Sequence, residues 1–234
     1  NRDDPVVSGA IALGVYEKNE AARYRKKILY GMTVIDVGAN IGYFTVISAH
    51  LVGQAGRVIC FEPEPENFSL LEKTIELNEF AWVEPHKIAL SDRAGESTLF
   101  LNKRNRGDHR MFDLGNADAS NRVSPTTLDD FLADRKVGRV DFIKMDIQGA
   151  EALALRCIKN TLRSNEKIAL MIEFCPHDLL MAGTEPLSML SELAESRFKI
   201  FEVKEGAELC RVSDFNSLIR KYTGTKYTNL YCER

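Results

Sequence analysis

The residues best suited to chemistry are carboxylates set beside glycines at the ends of apolar runs. Thr33–Val37 (TVIDV) opens into Asp36-Val37-Gly38-Ala39-Asn40-Ile41-Gly42-Tyr43-Phe44, where Gly38 and Gly42 let the backbone turn tightly and approach a ligand that a side chain would crowd. Past Gly42, Arg57–Phe61 (RVICF) ends in Glu62, followed by Pro63. A carboxylate there can accept hydrogen bonds from both hydroxyls of a ribose, so the spacing predicts a nucleoside site. Asp146 closes Val140–Met145 (VDFIKM) and Glu173 comes near the end of Lys167–Phe174 (KIALMIEF), with His177 following Pro176.

Each of these has a plainer explanation. Gly38, Gly42 and Glu62 could serve only a tight strand-to-helix turn, and Asp146 could cap the next helix while Glu151 faces its dipole. The combination favours a ligand, because an acid at the carboxyl end of a parallel strand faces the cleft. A dinucleotide is disfavoured: G-x-G-x-x-G is required, and Asn40 and Tyr43 stand where the second and third glycines would be. The loop suits a nucleoside with an amino-acid tail better than a pyrophosphate. Asp146, Glu173, His177 and His109 are candidate bases for an acceptor hydroxyl, whereas His50 and His86 occupy packing positions. Asp146, Glu173 and His177 could ligate one ion, but no tight ligand spacing supports a metal and none is expected.

The elements that must position these residues are legible from Thr33 onward, where β-branched runs alternate with helix-period segments, the signature of βαβ units. Strands are predicted at 33–37, 57–61, 86–90, 140–145 and 167–174, with 198–203 and 229–232 closing the sheet as an antiparallel pair. Helices are predicted at about 43–51, 65–77, 127–135 (capped by Thr127), 150–162 and 186–196. Ser97–Leu101 reads as a hairpin arm after a turn at Asp92–Gly95, and Asn102–Ser124 as a long surface loop suited to substrate recognition. Residues 1–32 form a flanking segment or lid, helical from about Glu20 to Tyr30 and stopped at Gly31, and 33–234 form one α/β domain.

Composition bounds the rest. At 234 residues, 44% hydrophobic and 28% charged, the chain can bury a substantial core without metals or disulfides. No apolar run is long enough to span a bilayer. A formal net charge of −3 argues against a broad nucleic-acid footprint and for a small-molecule partner. The basic groups Arg23, Arg25, Lys26, Lys27 and Lys103, Arg104, Arg106, Arg110 read as solvated faces, or in the second case as recognition of an acidic substrate. Five cysteines without C-x-x-C spacing read as reduced core residues of a cytoplasmic protein. The first residue is Asn1, as expected of a fragment or processed product.

The chain closely resembles the FkbM-type S-adenosylmethionine-dependent methyltransferases. The resemblance rests on Val34–Thr45 (VIDVGANIGYFT), Phe61-Glu62-Pro63, Ile88–Asp92 (IALSD), Thr127–Phe131 (TLDDF) and Asp141–Glu151 (DFIKMDIQGAE), and runs from about Pro5 to the end. The K-x-D-x-x-G-x-E pattern of Lys144, Asp146, Gly149 and Glu151 is its most specific part. The resemblance implies a Rossmann-like class I fold: a seven-stranded, mostly parallel sheet with helices on both faces and an antiparallel last strand. It implies that Asp36, Gly38, Ala39, Asn40, Gly42 and Tyr43 hold the methionine portion and ribose side of S-adenosylmethionine, with Glu62 and Pro63 at the ribose. Ala89, Ser91 and Asp92 would lie near the adenine, Tyr16 and Glu17 would close over the cofactor, and Asp146 would stand nearest the transferred methyl. The expected reaction is O-methylation of a hydroxyl on a small molecule or sugar. N-methylation, or a binding module without catalysis, are the alternatives.

Overall fold

A computed structural model describes residues 6–102, 105–115 and 117–234, so Pro5, Lys103 and Arg104 lie outside the described residues. Two short helices come first, α1 (Val7–Ala12) and α2 (Lys18–Arg25). Then follow β1 (Thr33–Val37), α3 (Tyr43–Val52), β2 (Arg57–Phe61), α4 (Pro65–Leu77), β3 (Val83–His86), β4 (Ser97–Leu101) and β5 (Ala119–Val123). The second half holds α5 (Leu128–Asp134), β6 (Phe142–Met145), α6 (Glu151–Arg156), α7 (Lys159–Ser164), β7 (Ala169–Phe174), α8 (Pro176–Met181) and α9 (Pro186–Glu195). It ends with β8 (Lys199–Val203), β9 (Leu209–Arg211), α10 (Phe215–Lys221) and β10 (Thr228–Glu233).

The main sheet has the order β3-β2-β1-β6-β7-β10-β8-β9. Pairing is parallel from β3 to β7 and antiparallel from β7 through β10 and β8 to β9. Its central strands are apolar on both faces because helices cover both. Ile35, Val37, Ile59, Phe61, Ile143 and Met145 pack into one core with Leu128, Leu155 and Leu190. The alternate residues Val34, Val58, Cys60 and Phe142 pack into the other with Tyr24, Phe44 and Leu71. Asp36 and Lys144 fall on this second face, directly across from one another in the β1–β6 register. Helix starts follow local chemistry. Glu64 accepts from the Asn67 amide at 2.7 Å ahead of α4, with Pro65 in the first turn, and Thr127 accepts from the Asp130 amide at 3.0 Å ahead of α5.

Several expectations need correction. The main sheet has eight strands rather than seven, because three-residue β9, too short to show an apolar run, adds to the edge at β8. The third strand is Val83–His86, not 86–90; beyond His86 the chain leaves the sheet and only Leu90 bridges, to Thr126. Ser97–Leu101 makes no hairpin with the segment before it. It pairs in a separate two-stranded sheet with β5, inside the stretch read as a loop. The helix expected over 150–162 is two helices, because the Asp129 carboxylate accepts from the Asn160 and Thr161 amides and caps a new start. Helix α2 ends at Arg25, well before Gly31. Four cysteines are buried and all five are unpaired, but Cys210 is exposed. Among the described residues no helix is long and apolar enough to cross a membrane.

Candidate functional site

Strand order reverses at β1: β2 and β3 lie on one side, β6 and β7 on the other. Connections diverge there, and a cleft opens beyond the carboxyl ends of β1 and β6. It measures about 860 Å³, counted out to its mouth. Its walls come from the β1–α3 turn, the end of β2, Ile88–Leu90, the segment carrying Arg106, Gly107, His109 and Met111, and the turn after β6.

The β1–α3 turn is shaped by protein neighbours. A Cβ on Gly38, which has φ +79, would sit 2.0 Å from the Asp146 carbonyl oxygen, and one on Gly42, at φ +97, would press on Leu71 and Thr74. Both glycines therefore permit close packing of the chain on itself, and Gly42 does not line the cleft. Gly38 and Ala39 donate backbone hydrogen bonds to the Phe61 carbonyl, tying the turn to β2. Glu62 is buried and accepts from the Asn40 amide at 2.8 Å and the Glu64 amide at 2.9 Å. Burial pushes its carboxyl up to about 7, against those two bonds. Each oxygen keeps a lone pair for a further donor.

Asp36 is fully buried, with one oxygen accepting from the Thr45 hydroxyl at 2.7 Å and the other, Oδ1, without a partner. Burial raises its pKa while Lys144 and Thr45 oppose the rise. Lys144 is itself buried, lies 4.6 Å from the centre of the Phe44 ring, and places Nζ 3.2 Å from Asp146 Oδ2. Burial would lower its pKa, but Asp146, Asp36 and Glu17 outweigh that and hold it charged.

The turn after β6 is fixed from beneath. The buried Glu151 carboxylate accepts from the amides of Ile147 and Gly149, both at 2.9 Å. Gly149, at φ +98, has no room for a side chain, since a Cβ would lie 2.7 Å from the Asp178 carbonyl oxygen. Gln148 holds a left-handed backbone, φ 52, and donates to Asp146 at 2.9 Å and to Glu173 at 3.2 Å. The K-x-D-x-x-G-x-E pattern thus acquires a physical reading: the lysine balances the aspartate, the glycine allows the turn and the glutamate pins it.

Two further segments cover the cleft. Tyr16 lines it and packs edge-on against Tyr43, with ring centres 5.1 Å apart. From the inserted segment, the Arg106 carbonyl accepts from Asn40 at 2.9 Å and from Asn67 at 3.0 Å, while the Arg106 guanidinium pairs with Glu66. Arg110 reaches across to Asp178 at 2.8 Å.

Of the residues singled out from sequence, Tyr16, Asp36, Gly38, Ala39, Asn40, Tyr43, Glu62, Pro63, Ala89, His109 and Asp146 line this one cleft. Glu17 stands just behind Tyr16. Ser91 is half-buried and Asp92 exposed, both off the cleft wall, and Glu173 is buried behind Gln148. His177 sits on the first turn of α8 beside Asp178, off the cleft wall. Lys144, Gln148, Asn67 and Met111 contribute to the wall without having been singled out for a role there. Lys144 and Gln148 belong to the Asp141–Glu151 stretch, whereas Asn67 and Met111 carry no spacing signal. Among the described residues no group of three or more His, Cys, Asp or Glu is placed to hold a metal ion.

The family model for the methyltransferase FkbM domain matches residues 36–200. Methyltransferase 1 of Beauveria bassiana is 28% identical over 142 residues, covering 53% of this chain and 57% of that protein. Methyltransferase sdnD of Sordaria araneosa is 26% identical over 153 residues, covering 53% and 59%. The matched part thus spans well under two thirds of the length of these relatives. The solved FkbM methyltransferase of Methylobacillus flagellatus superposes with a TM-score of 0.51 at 18% identity, over 86% of this chain and 43% of that one. A Streptococcus mutans methyltransferase solved with S-adenosylhomocysteine superposes at 0.55 and 11% identity, over 92% and 96%. These two likenesses show the fold. With a family match over most of its length, the chain belongs to the FkbM methyltransferase family, whose methyl donor is S-adenosylmethionine.

Proposed function

We propose that this chain transfers the methyl group of S-adenosylmethionine to a hydroxyl of a small molecule or sugar. The observation that carries the reading is Asp146, a carboxylate on the cleft wall at the switch point, held in place by Lys144 and Gln148. The cleft residues fit the cofactor. Asp36 Oδ1 and Asn67 Oδ1 are buried acceptors of the cleft wall without partners, suited to the ammonium and ribose hydroxyls of that molecule. Glu62 would accept the ribose hydroxyls, and Asp36 with the 38–43 turn would hold the methionine end. Ala89 and Ile88 would flank the adenine, and Ser91 and Asp92 would act only from its outer edge.

Bound there, S-adenosylmethionine supplies an electrophilic methyl on a sulfonium. The protein's task is to align the acceptor in line with that methyl and to exclude water. In this reading Tyr16 and the 105–111 segment close the cleft, and Asp146 orients the acceptor hydroxyl and takes its proton. Glu173 acts through Gln148 rather than directly. His109 faces the cleft from the opposite wall and is the second candidate base. A nucleic-acid acceptor is not part of this reading, since Lys144 is tied to Asp146 and Arg106 to Glu66.

Incubation with methyl-labelled S-adenosylmethionine and paired hydroxyl and amine acceptors tests the proposal. Label should enter hydroxylated acceptors and be lost in Asp146→Ala. Label confined to amines would assign N-methylation. Cofactor binding without transfer to any acceptor would favour a non-catalytic module.

A further inference from the structure

Gln148 stands on the cleft wall beside Asp146 and holds a left-handed backbone, φ 52, that glycine would adopt with less strain. Gly149 follows at φ 98, so the chain turns through two left-handed residues just past the end of β6. The Gln148 amide nitrogen lies 2.9 Å from Asp146 Oδ1 and 3.2 Å from Glu173 Oε1. A carboxylate can only accept, and Asp146 is kept as one by the Lys144 ammonium, 3.2 Å from its other oxygen. The nitrogen is therefore the end of the amide turned toward Asp146. Its two N–H groups are both spent, one on each acid, with buried Glu173 fixing the second. What remains is the carbonyl oxygen, Oε1, which takes part in neither bond. Gln148 is half-buried on the cleft wall, so this oxygen is an acceptor offered to the cleft. Covalent geometry separates the oxygen and nitrogen of a carboxamide by about 2.3 Å, which puts Oε1 no more than about 5 Å from Asp146 Oδ1.

We propose that the acceptor carries two adjacent hydroxyls, as a sugar ring does, and that Gln148 selects it: Asp146 receives the hydroxyl to be methylated and Gln148 Oε1 receives its neighbour. This rests on the reading of Asp146 as the group that takes the acceptor's proton, and it adds the substrate class. Two acceptors at that spacing suit two O–H donors on adjacent carbons, each about 2.8 Å from its partner. The oxygen beside Asp146 gives its proton to that carboxylate as it bonds the methyl carbon, and sulfur keeps the electrons of the broken bond. The neighbouring hydroxyl keeps its proton. A lone hydroxyl reaches Asp146 but leaves the Gln148 carbonyl only water to bind, in a cleft that must exclude it. With both N–H groups held, the carboxamide cannot flip to offer a donor. A neighbour that only accepts, such as a methyl ether, is therefore refused as well, and a diol once methylated is a poor acceptor for a second methyl.

Transfer from methyl-labelled S-adenosylmethionine to matched acceptors tests this: methyl glucoside and vicinal cyclohexanediol as diols, with the monomethyl ether of the cyclohexanediol and cyclohexanol as controls. In the wild type, kcat/KM for the cyclohexanediol exceeds that for either control by about tenfold or more. Gln148→Met keeps the length of the side chain but has no carbonyl. Rates then fall on every acceptor, because Asp146 loses a donor, while the diol's advantage over cyclohexanol shrinks to about twofold or less. A merely structural role for Gln148 would lower all rates and leave that ratio where it was. If the Met variant does not fold, Gln148→Gly, whose backbone takes the turn without strain, carries the same expectation. Cyclohexanol methylated as well as the diol by the wild type, or a ratio unchanged in the variants, would overturn the inference. Transfer to no hydroxyl at all, with S-adenosylhomocysteine still bound, would remove the O-methylation reading itself, a distinct result.

Discussion

Gly38 and Asp146 meet where β1 and β6 end, and each limits what the other can be. A methyl group at position 38 would overlap the Asp146 carbonyl oxygen, and the left-handed backbone adds strain. Gly38→Ala should cost about 3 kcal/mol, seen as a lowered thermal midpoint, and abolish cofactor binding in calorimetry. Asp146→Asn keeps the side chain's shape and its contact with Gln148 but cannot take a proton. Methyl transfer should fall by about 100-fold or more while the thermal midpoint drops far less than for Gly38→Ala. Asp36, Gly38, Glu62 and Asp146 were legible because a strand end, a glycine and an acid recur at spacings the fold dictates. Asn67 and Gln148 were not, since a helix-face amide and a left-handed glutamine leave no periodic trace. The reason given for the glycines also changed, from room for a ligand to room for Asp146 and for Leu71.

At the scale of elements, the inserted segment between β4 and β5 depends on a few clasps. The Arg110–Asp178 pair joins it to α8 with both side chains largely buried, at 12% and 6% exposure. Burial would raise the Asp178 pKa, but the bonds from Arg110, His177 and Cys175, with the charge of Arg110, together outweigh it and hold the carboxyl low. Arg110→Ala removes the cation from that buried carboxylate, leaving His177 beside it, and should cost about 2 kcal/mol, read from denaturant melts. Its affinity for S-adenosylhomocysteine should fall too, because His109 and Met111 lose their anchor. The helices and parallel strands around this segment were legible from periodicity and caps, as at Glu64 and Thr127. Strand β5 (ASNRV) was not, because it lacks an apolar face, and the break between α6 and α7 was hidden because its cap, Asp129, comes from another helix.

Over the whole molecule, the raised carboxyls set the pH response. Burial first of all pushes Glu62 and Glu151 up to about 7 and Glu17 to about 8. Between their ordinary value of 4.5 and about 8 the folded chain holds more protons than the unfolded one, so stability falls as pH rises through that window. Glu84, Asp178, Glu202 and Glu233, held low, have ionised in both states by about pH 6 and add no slope there. His86, lowered by burial, pulls the other way near pH 6. The cofactor-free protein should therefore be less stable at pH 8 than at pH 5.5 in denaturant melts. The measurement that tests the central claim most directly is a calorimetric titration of the chain with S-adenosylhomocysteine beside NAD, repeated on Glu62→Ala. Saturable binding of S-adenosylhomocysteine alone, weakened by about tenfold or more in the variant, is the predicted result; binding of NAD with none of S-adenosylhomocysteine would contradict it.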